Sequence, residues 1–264
     1  MSTAAAKISY NPHSTAFSSY AEPRSGRMVP VGLPDMVITG EELDAFNAFR
    51  QHVEDGSFPC IGAKAALNGN HFRYGFYSAI NSSEATSGLA HDLWEFANEQ
   101  SSFNSNYATF ITCFGGPRVM DELMWERRLW EQLQRLHELD DTDWDTTVSS
   151  KPGTANFSFS FAGTAFFVVG LHTGASRLAR QFQWPTLVFN FHAQFERLRG
   201  EGQFERMQST IRARDLKLQG SLNPNLSDFG KQSEAKQYSG RAVEDEWKCP
   251  FKRLLGHFAK NPHG

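Results

Sequence analysis

Apolar residues recur at three- and four-residue steps in several parts of the chain, and this spacing predicts amphipathic helices. The clearest example runs from Val119 to about Leu139, where the apolar positions fall on one side of a helix. The helices predicted in this way cover residues 40–52, a short segment after 58, residues 83–99, 119–139 and 194–218, the last interrupted near 200–202.

Other segments alternate between apolar and polar residues, or are apolar throughout the length of a strand. Residues 157–161 read Phe-Ser-Phe-Ser-Phe, a strict alternation that is typical of a half-buried strand with one Phe-lined face. Residues 165–171 continue as an apolar strand after a bulge or kink at Gly163. Further strands are predicted over residues 71–80, 107–114 and 186–191.

Helices and strands therefore interleave, with connections of unequal length. Segments 157–161 and 165–171 are too close in sequence for a crossover helix, which favours antiparallel neighbours. The pattern predicts an α+β fold with a single domain, in which helices pack on a mixed or largely antiparallel sheet. We expect residues 1–30 to form a flexible N-terminal arm, residues 31–251 the folded domain, and residues 252–264 a C-terminal tail.

Charge and composition narrow the range of partners. The 264 residues carry 26 basic and 29 acidic side chains, and a net charge of -3 argues against a general nucleic-acid binder. No segment approaches the roughly 20 apolar residues of a membrane span, and the N-terminus lacks the layout of a secretory signal. The three cysteines match no disulfide framework. We expect a cytoplasmic protein without nucleic-acid or membrane partners, and the long polar termini favour a homodimer.

The aromatic content is unusual, because 23 Phe stand against 6 Tyr and 6 Trp. So many rings either fill an ordinary core or line the pocket of a flat, apolar ligand. Standard phosphate-binding, dinucleotide-binding, zinc-protease and serine-hydrolase motifs are absent from the sequence. Candidate chemistry must therefore be sought in individual residues at strand ends and turns.

One such strand end carries His172, followed by a glycine turn with Arg177 and Arg180. A histidine at this place is held rigidly, and the two arginines are suited to neutralise the carboxylates of a bound group. The alternative interpretation, with a histidine that caps the strand and arginines on a solvated surface, has about equal weight.

Three further residues have both a functional and a purely structural interpretation. His192 ends the next strand, but it equally suits the first turn of a helix. Cys60 precedes Lys64 by one helical turn, so a lysine charge would lower the thiol pKa, although a buried cysteine that packs as a small hydrophobe is the favoured interpretation. Cys249 precedes Pro250, and a thiolate there is a haem ligand candidate that is weak on its own.

Taken together, several long strings resemble the YqcI/YcgG family over roughly residues 55–251. The strings that carry the resemblance are FPCIGAKAAL, GTANFSFSFAGTAFFVVGLHTGASRLAR, VFNFHAQFERLR and LQGSLNPNL followed by EAKQYSGRAVEDEWKCPF. The chain departs from the expected pattern at Thr173, where we expect proline after the histidine. This difference affects the rigidity of the turn more than its chemistry.

The resemblance implies a haem-dependent N-oxygenase, because characterised members hydroxylate guanidine nitrogens of arginine or of an arginine-derived cyclic guanidine. It implies haem b as the cofactor, a small guanidine or amine as the substrate, and O2 with an electron donor, or peroxide, as the oxidant. The alternatives are a haem-binding sensor or carrier without turnover, and an interaction protein in which the Phe excess is only core.

Carried onto this sequence, the resemblance makes His172 the first candidate for the axial ligand of the iron and Cys249 the second. Residue chemistry does not choose between an imidazole and a thiolate. The other expected roles are acid–base chemistry at His192, recognition of the guanidinium by Glu196 with Glu234 as a weaker candidate, propionate binding by Arg177, Arg180 and Arg241, and apolar pocket walls from Phe159, Phe161, Phe166 and Phe167.

Overall fold

A computed structural model describes residues 11–32, 36–226 and 232–254. Within these residues, seven strands form one open sheet: β1 (Ala21–Arg24), β2 (Arg27–Pro30), β3 (Phe72–Ala79), β4 (Thr109–Gly116), β5 (Phe159–Phe161), β6 (Thr164–Leu171) and β7 (Thr186–Phe191). The strand order is β2-β1-β3-β4-β7-β6-β5. Only β3 and β4 run parallel among the described pairs, and the remaining neighbours are antiparallel. The predicted α+β fold with a mixed, largely antiparallel sheet is confirmed.

The helices are α1 (Gly40–Glu54), α2 (Ile61–Asn68), α3 (Ser83–Asn98), α4 (Glu122–Leu139), α5 (His192–Gly200) and α6 (Phe204–Gln219). Local signals set where several of them begin. Thr39 and Glu42 form a capping box at the start of α1. Asp121 accepts a hydrogen bond from the Met124 amide, so α4 begins three residues later than the apolar spacing alone predicts.

The connection between β5 and β6 is a tight hairpin rather than a bulge or kink at Gly163. Ala162 has φ 51° and Gly163 has φ 68°, so both central residues of the turn are in the left-handed region. Two such residues match the twist of antiparallel strands, and Phe159 consequently lies opposite Phe166.

The two faces of the sheet are covered by different helices. Alternate residues of the strands point to opposite faces, so Phe166 and Val168 of β6 join one core, whereas Val169 and Leu171 face the other side. We call the first the filled face: its core packs against α3 and α4 and includes most of the fully buried phenylalanines. The other, the cavity face, is covered by α1, α2, α5 and α6.

The N-terminal segment belongs to the fold, which corrects the expectation of a flexible arm over residues 1–30 for its described part. Residues 21–30 supply β1 and β2 at one edge of the sheet. The Ser19 amide donates to the buried Asp92 carboxylate of α3 at 2.8 Å. A Cβ on Gly88 would lie 1.9 Å from the carbonyl oxygen of Phe17, so glycine permits this segment to contact α3. Residues 1–10 lie outside the described part of the chain.

The C-terminal segment also follows the fold as far as it is described. The Lys252 amide donates to Gln134 Oε1 at 2.9 Å, and the Leu254 amide donates to His137 Nε2 at 3.1 Å, so this segment runs along α4. The rest of the expected tail, residues 255–264, lies outside the described residues. Over the part of the chain that the structure describes, no helix has both the length and the apolar character that a bilayer crossing requires.

Candidate functional site

The cavity face encloses a pocket of about 330 Å³ between the sheet and helices α1, α2, α5 and α6. This volume lies at the lower end of the range for small-molecule sites. Strand alternation directs Phe167 and Val169 of β6 and Val188 of β7 into it. Helix α6 closes the opposite side, with Phe204, Met207 and Ile211 among other residues. Of the α6 residues, only Asp215 is buried, and 9% of its surface is still exposed. Helix α6 therefore covers a cavity instead of packing tightly on the sheet.

We call this pocket the larger cavity, because a smaller one adjoins it. Cys60 places a thiol in its wall. It is the N-terminal cap of α2, where its Sγ accepts a hydrogen bond from the Ala63 amide at 3.4 Å. Burial raises the pKa of the thiol, and the nearby charge of Arg180 opposes that effect. A soft sulfur ligand thus lies at a helix N-terminus, in an apolar cavity and close to a cation.

Arg180 also lines the larger cavity, and in the described residues its hydrogen bonds go to backbone carbonyls. Nη1 donates to the carbonyls of Gly170 at 2.9 Å and Tyr238 at 3.4 Å, and Nη2 donates to the carbonyl of Gln237 at 3.3 Å. Burial lowers its pKa to about 10. Neutral acceptors satisfy the N–H groups without balancing the charge, so the site favours an anionic group of a ligand.

Arg177 lines the same cavity, but a carboxylate already neutralises its charge. Its guanidinium forms a buried ion pair with Asp215 of α6 and donates to the Ser221 carbonyl at 2.8 Å. Asp215 is the acidic residue among those that line the larger cavity. This pair therefore attaches the C-terminal end of α6 and is less suited than Arg180 to bind an anion.

A smaller pocket of about 120 Å³ adjoins the larger cavity, and the two share lining residues that include Phe167, Phe195 and Phe204. His192, at the start of α5, and Glu234 both line it. His192 Nε2 lies 4.0 Å from Glu234 Oε2, which is too long for a hydrogen bond. Burial lowers the pKa of His192.

Glu234 holds an unusual carboxyl group at this place. Its Oε1 accepts hydrogen bonds from Ser158 Oγ at 2.6 Å and Tyr238 Oη at 2.9 Å. Burial raises its pKa to about 7, although both hydrogen bonds oppose the rise. A carboxyl group that titrates near neutral pH, with Oε2 directed at a buried histidine, is suited to general acid–base chemistry.

The remaining residues proposed from the sequence are not brought to these cavities. His172 stacks on Trp125 of α4 with ring centroids 5.3 Å apart, and its Nδ1 accepts from the Gly174 amide at 3.2 Å. Burial lowers the pKa of His172, while Glu122 and the Met120 carbonyl oppose this effect. The first ligand candidate thus lies against α4, on the filled face.

Cys249 packs against the core of the filled face, and burial raises its pKa to about 12. Arg241 is bound by Glu126 of α4 and by Glu244, each at 2.8 Å, and neither Cys249 nor Arg241 lines a described cavity. Arg180 does contact the segment before Arg241, since a Cβ on Gly240 would lie 3.2 Å from Arg180 Cγ, but the Arg241 guanidinium is directed to Glu126 and Glu244 and not to the cavity.

Phe159 and Phe161 are fully buried in the filled face, on the side of the sheet that faces away from the larger cavity. Phe166 lies with them, and of the four phenylalanines proposed as pocket walls only Phe167 lines the cavity. Glu196 is exposed and paired with Arg199, so it lies outside both cavities. These residue types suit a ligand pocket, but the register of the strands and the direction of each helix face place most of them outside the two cavities.

A comparison with protein-family models matches residues 49–252 to the model described as YqcI/YcgG family. The chain belongs to the YqcI/YcgG family. The matched residues include those that line both cavities, with α2, α5, α6 and the last part of α1, so the site described here is part of the YqcI/YcgG domain. Comparisons with curated proteins and with solved structures find no match.

Some residues of the YqcI/YcgG site carried no signal in the sequence. Gln194 and Asp215 line the larger cavity, yet each lies in a helix whose apolar spacing is weak. The sequence shows Cys60 as a cysteine before a short helix, but its neighbours in sequence do not distinguish a functional thiol from a core residue. Within the described residues, no group of three or more His, Cys, Asp or Glu side chains forms a metal site.

Proposed function

We propose that this YqcI/YcgG protein is a haem-dependent N-oxygenase that hydroxylates a guanidine or amine nitrogen of a small molecule, such as arginine or an arginine-derived guanidine. The family resemblance supports the class of reaction. One placement carries the proposal of a haem site: Cys60 lies in an apolar cavity together with Arg180. A sulfur ligand, apolar walls and an unbalanced cation are the elements that a haem pocket needs.

Cys60 is the residue that would hold the iron. Its position at the N-terminus of α2 favours the thiolate, and coordination by a metal deprotonates a thiol whose free pKa burial has raised. His172 and Cys249 are weaker candidates than the sequence predicts, because both lie toward α4 on the filled face. We therefore assign the ligand role to Cys60.

Arg180 would bind a haem propionate, since its guanidinium lacks a carboxylate partner among the described residues. Haem b would supply the activation of the oxidant. With O2, one oxygen atom enters an N–H bond of the substrate, and the other leaves as water after an external donor supplies two electrons and two protons. With peroxide, the same hydroxylation releases water and needs no electron donor.

Glu234 and His192 would hold and transfer the protons in the smaller cavity. Because Glu234 Oε1 already accepts two hydrogen bonds, a proton on this carboxyl group resides on Oε2, which faces His192 Nε2. A group with a pKa of about 7 both accepts and releases a proton at neutral pH. The acid–base role expected of His192 is thus shared with Glu234, which the sequence suggested only as a weaker candidate for recognition of the guanidinium.

The test is an optical spectrum of the protein after haem reconstitution, in the oxidised state and in the reduced state with CO. The wild-type protein should give a Soret band and the CO band of a thiolate ligand. Cys60→Ala should lose the thiolate-type CO band, because its ligand atom is gone. Cys249→Ala is the matched control, a second half-buried cysteine on the other face, and should keep the wild-type spectrum.

Two other results would count against the proposal. A wild-type protein without a Soret band would exclude haem binding, and a spectrum that changes in His172→Ala but not in Cys60→Ala would return the ligand role to His172. Mass spectrometry then separates an enzyme from a haem sensor or carrier. A product one oxygen atom heavier than arginine or a related guanidine is expected for the enzyme, with O2 and a reductant or with peroxide.

A further inference from the structure

Gln194 has a buried hydrogen-bond acceptor that no described residue satisfies. It lies in the first turn of α5, is 3% exposed and lines the larger cavity. Its Oε1 is buried without a hydrogen-bond partner among the described residues. A buried carbonyl oxygen without a donor destabilises a fold, so its presence in a cavity wall needs an explanation.

None of the described neighbours in the cavity wall donates to this oxygen. Phe167, Phe195 and Phe204 are apolar. Asn190 Nδ2 donates to the Phe167 carbonyl at 3.3 Å, and the guanidinium of Arg180 donates to backbone carbonyls. A molecule that enters the cavity can supply the missing donor.

We infer that Gln194 binds an N–H group of the small molecule in the larger cavity and thereby determines which ligands are accepted. The inference rests on the proposed function for the ligand class, in that a guanidine presents several N–H donors. The acceptor is a neutral amide, and the acidic residue in the lining, Asp215, is already paired with Arg177. The site thus selects a ligand for its N–H donors more than for a positive charge.

This chemistry makes a specific prediction about ligand charge. L-arginine carries a guanidinium cation, and L-citrulline has a neutral urea with N–H donors in similar positions. Because Gln194 is neutral, we expect the dissociation constants of the two to differ by less than about tenfold, the difference that corresponds to roughly 1.4 kcal/mol. A site built on a free carboxylate would prefer arginine far more strongly.

The experiment measures the dissociation constants of L-arginine and L-citrulline for the haem-reconstituted protein, and the melting temperature without ligand. Gln194→Met keeps the length of the side chain and removes the acceptor. It should weaken both ligands about tenfold, as expected for one lost hydrogen bond, and should raise the melting temperature because the unpaired carbonyl is gone. A residue with a merely structural role would show the opposite change in melting temperature.

Gln194→Glu keeps an acceptor and adds a negative charge. It should bind arginine more tightly than the wild-type protein does, and so shift the preference from citrulline to arginine. If Gln194→Glu instead loses both ligands, the amide acts as a donor and the inference is wrong. Exposed Gln203, which precedes α6, gives the control variant Gln203→Met, with no change expected in affinity or melting temperature.

The outcomes separate this inference from the proposed function. Dissociation constants that do not change in Gln194→Met would overturn the role of Gln194, even if the protein binds haem and hydroxylates arginine. Failure of both ligands to bind the wild-type protein would overturn the inference as well. A protein without a Soret band would contradict the proposed function, whereas a tenfold loss of arginine affinity in Gln194→Met, measured on that same protein, would still support Gln194.

Discussion

The two faces of the sheet differ in how completely side chains fill the space above them. On the filled face, phenylalanines interlock with α3 and α4, as in the stack of Phe96 on Phe191 with ring centroids 4.3 Å apart. On the cavity face, Asp215 is the one buried residue of α6, and about 330 Å³ is left open. One sheet therefore carries a core that stabilises the fold on one side and a site that accepts a ligand on the other.

The two faces of the sheet contribute to stability through different kinds of contact. Dense apolar packing on the filled face supplies the contacts that hold the strands and α4 together. On the cavity face, apolar side chains of α1 and the sheet form a second core, whereas α6 is attached by polar contacts, such as the ion pair between Arg177 and Asp215 and the bonds of Gln219 to the backbone of Ser176 and Leu178. Unequal responses to mutation on the two faces would test this comparison.

The largest difference is expected between two consecutive residues of β6. Phe166 points into the filled face and Phe167 toward the cavity. Phe166→Ala should lower the free energy of unfolding by about 3–5 kcal/mol, since it opens a void in a close-packed core. Phe167→Ala should cost only about 1–2 kcal/mol, because its ring already borders open space. Chemical denaturation measures both, and equal losses would show that the two faces are packed alike.

A somewhat smaller effect is expected where α6 is attached. Asp215→Ala should lower the free energy of unfolding by about 3 kcal/mol, because it leaves the buried charge of Arg177 without its carboxylate. Glu205→Ala, an exposed position of the same helix, is the control and should cost under about 0.5 kcal/mol. The double variant Arg177→Met/Asp215→Leu should recover most of the loss. If it does not, apolar packing and not the ion pair holds α6.

An effect of similar size depends on pH and involves Glu234. Burial raises its pKa from the ordinary value of 4.5 to about 7, so the folded state keeps a proton that the unfolded chain releases. The free energy of unfolding should therefore be highest below pH 4.5 for this group and fall as the pH rises to about 7, by about 3 kcal/mol. Above that window the contribution is constant.

Thermal unfolding over this pH range checks the effect. Glu234→Gln cannot titrate, so the difference between its profile and that of the wild-type protein isolates the carboxyl group of Glu234 from other titratable groups. Glu196→Gln, on the exposed side of α5, serves as the control and should keep the fall. A fall that persists in Glu234→Gln would show that another group is responsible.

Prediction from the sequence succeeded where the signal was local and repeated. The strict alternation near Phe159 gave a strand, and the interruption after Gly200 separated α5 from α6. The two strands joined by Ala162 and Gly163 were expected as antiparallel neighbours, although the hairpin turn between them was read as a bulge. The described N-terminal strands were missed, because their short edge segments carry no apolar alternation and depend on pairing with β3.

The candidate site was harder to predict, because it depends on which side of a strand each residue occupies. His172 and Leu171 are neighbours in sequence, yet Leu171 lines the cavity and His172 stacks on Trp125. A change of one residue in a strand reverses the face, and no feature of the sequence showed which face would remain open. Arg180, which the sequence suggested as a propionate ligand, does line the larger cavity, whereas Gln194 gave no signal.

The sequence by itself determined most of the helices and strands, the α+β class and the family, since periodicity and long family strings are properties of the chain order. Only the tertiary structure decided which phenylalanines fill the core and which line the pocket. Most of the rings in question fill the space against α3 and α4, and the pocket lies on the opposite face around Cys60, Arg180 and Gln194. The physical reason is that a cavity is space which several distant segments enclose without filling, and periodicity within one segment does not record it.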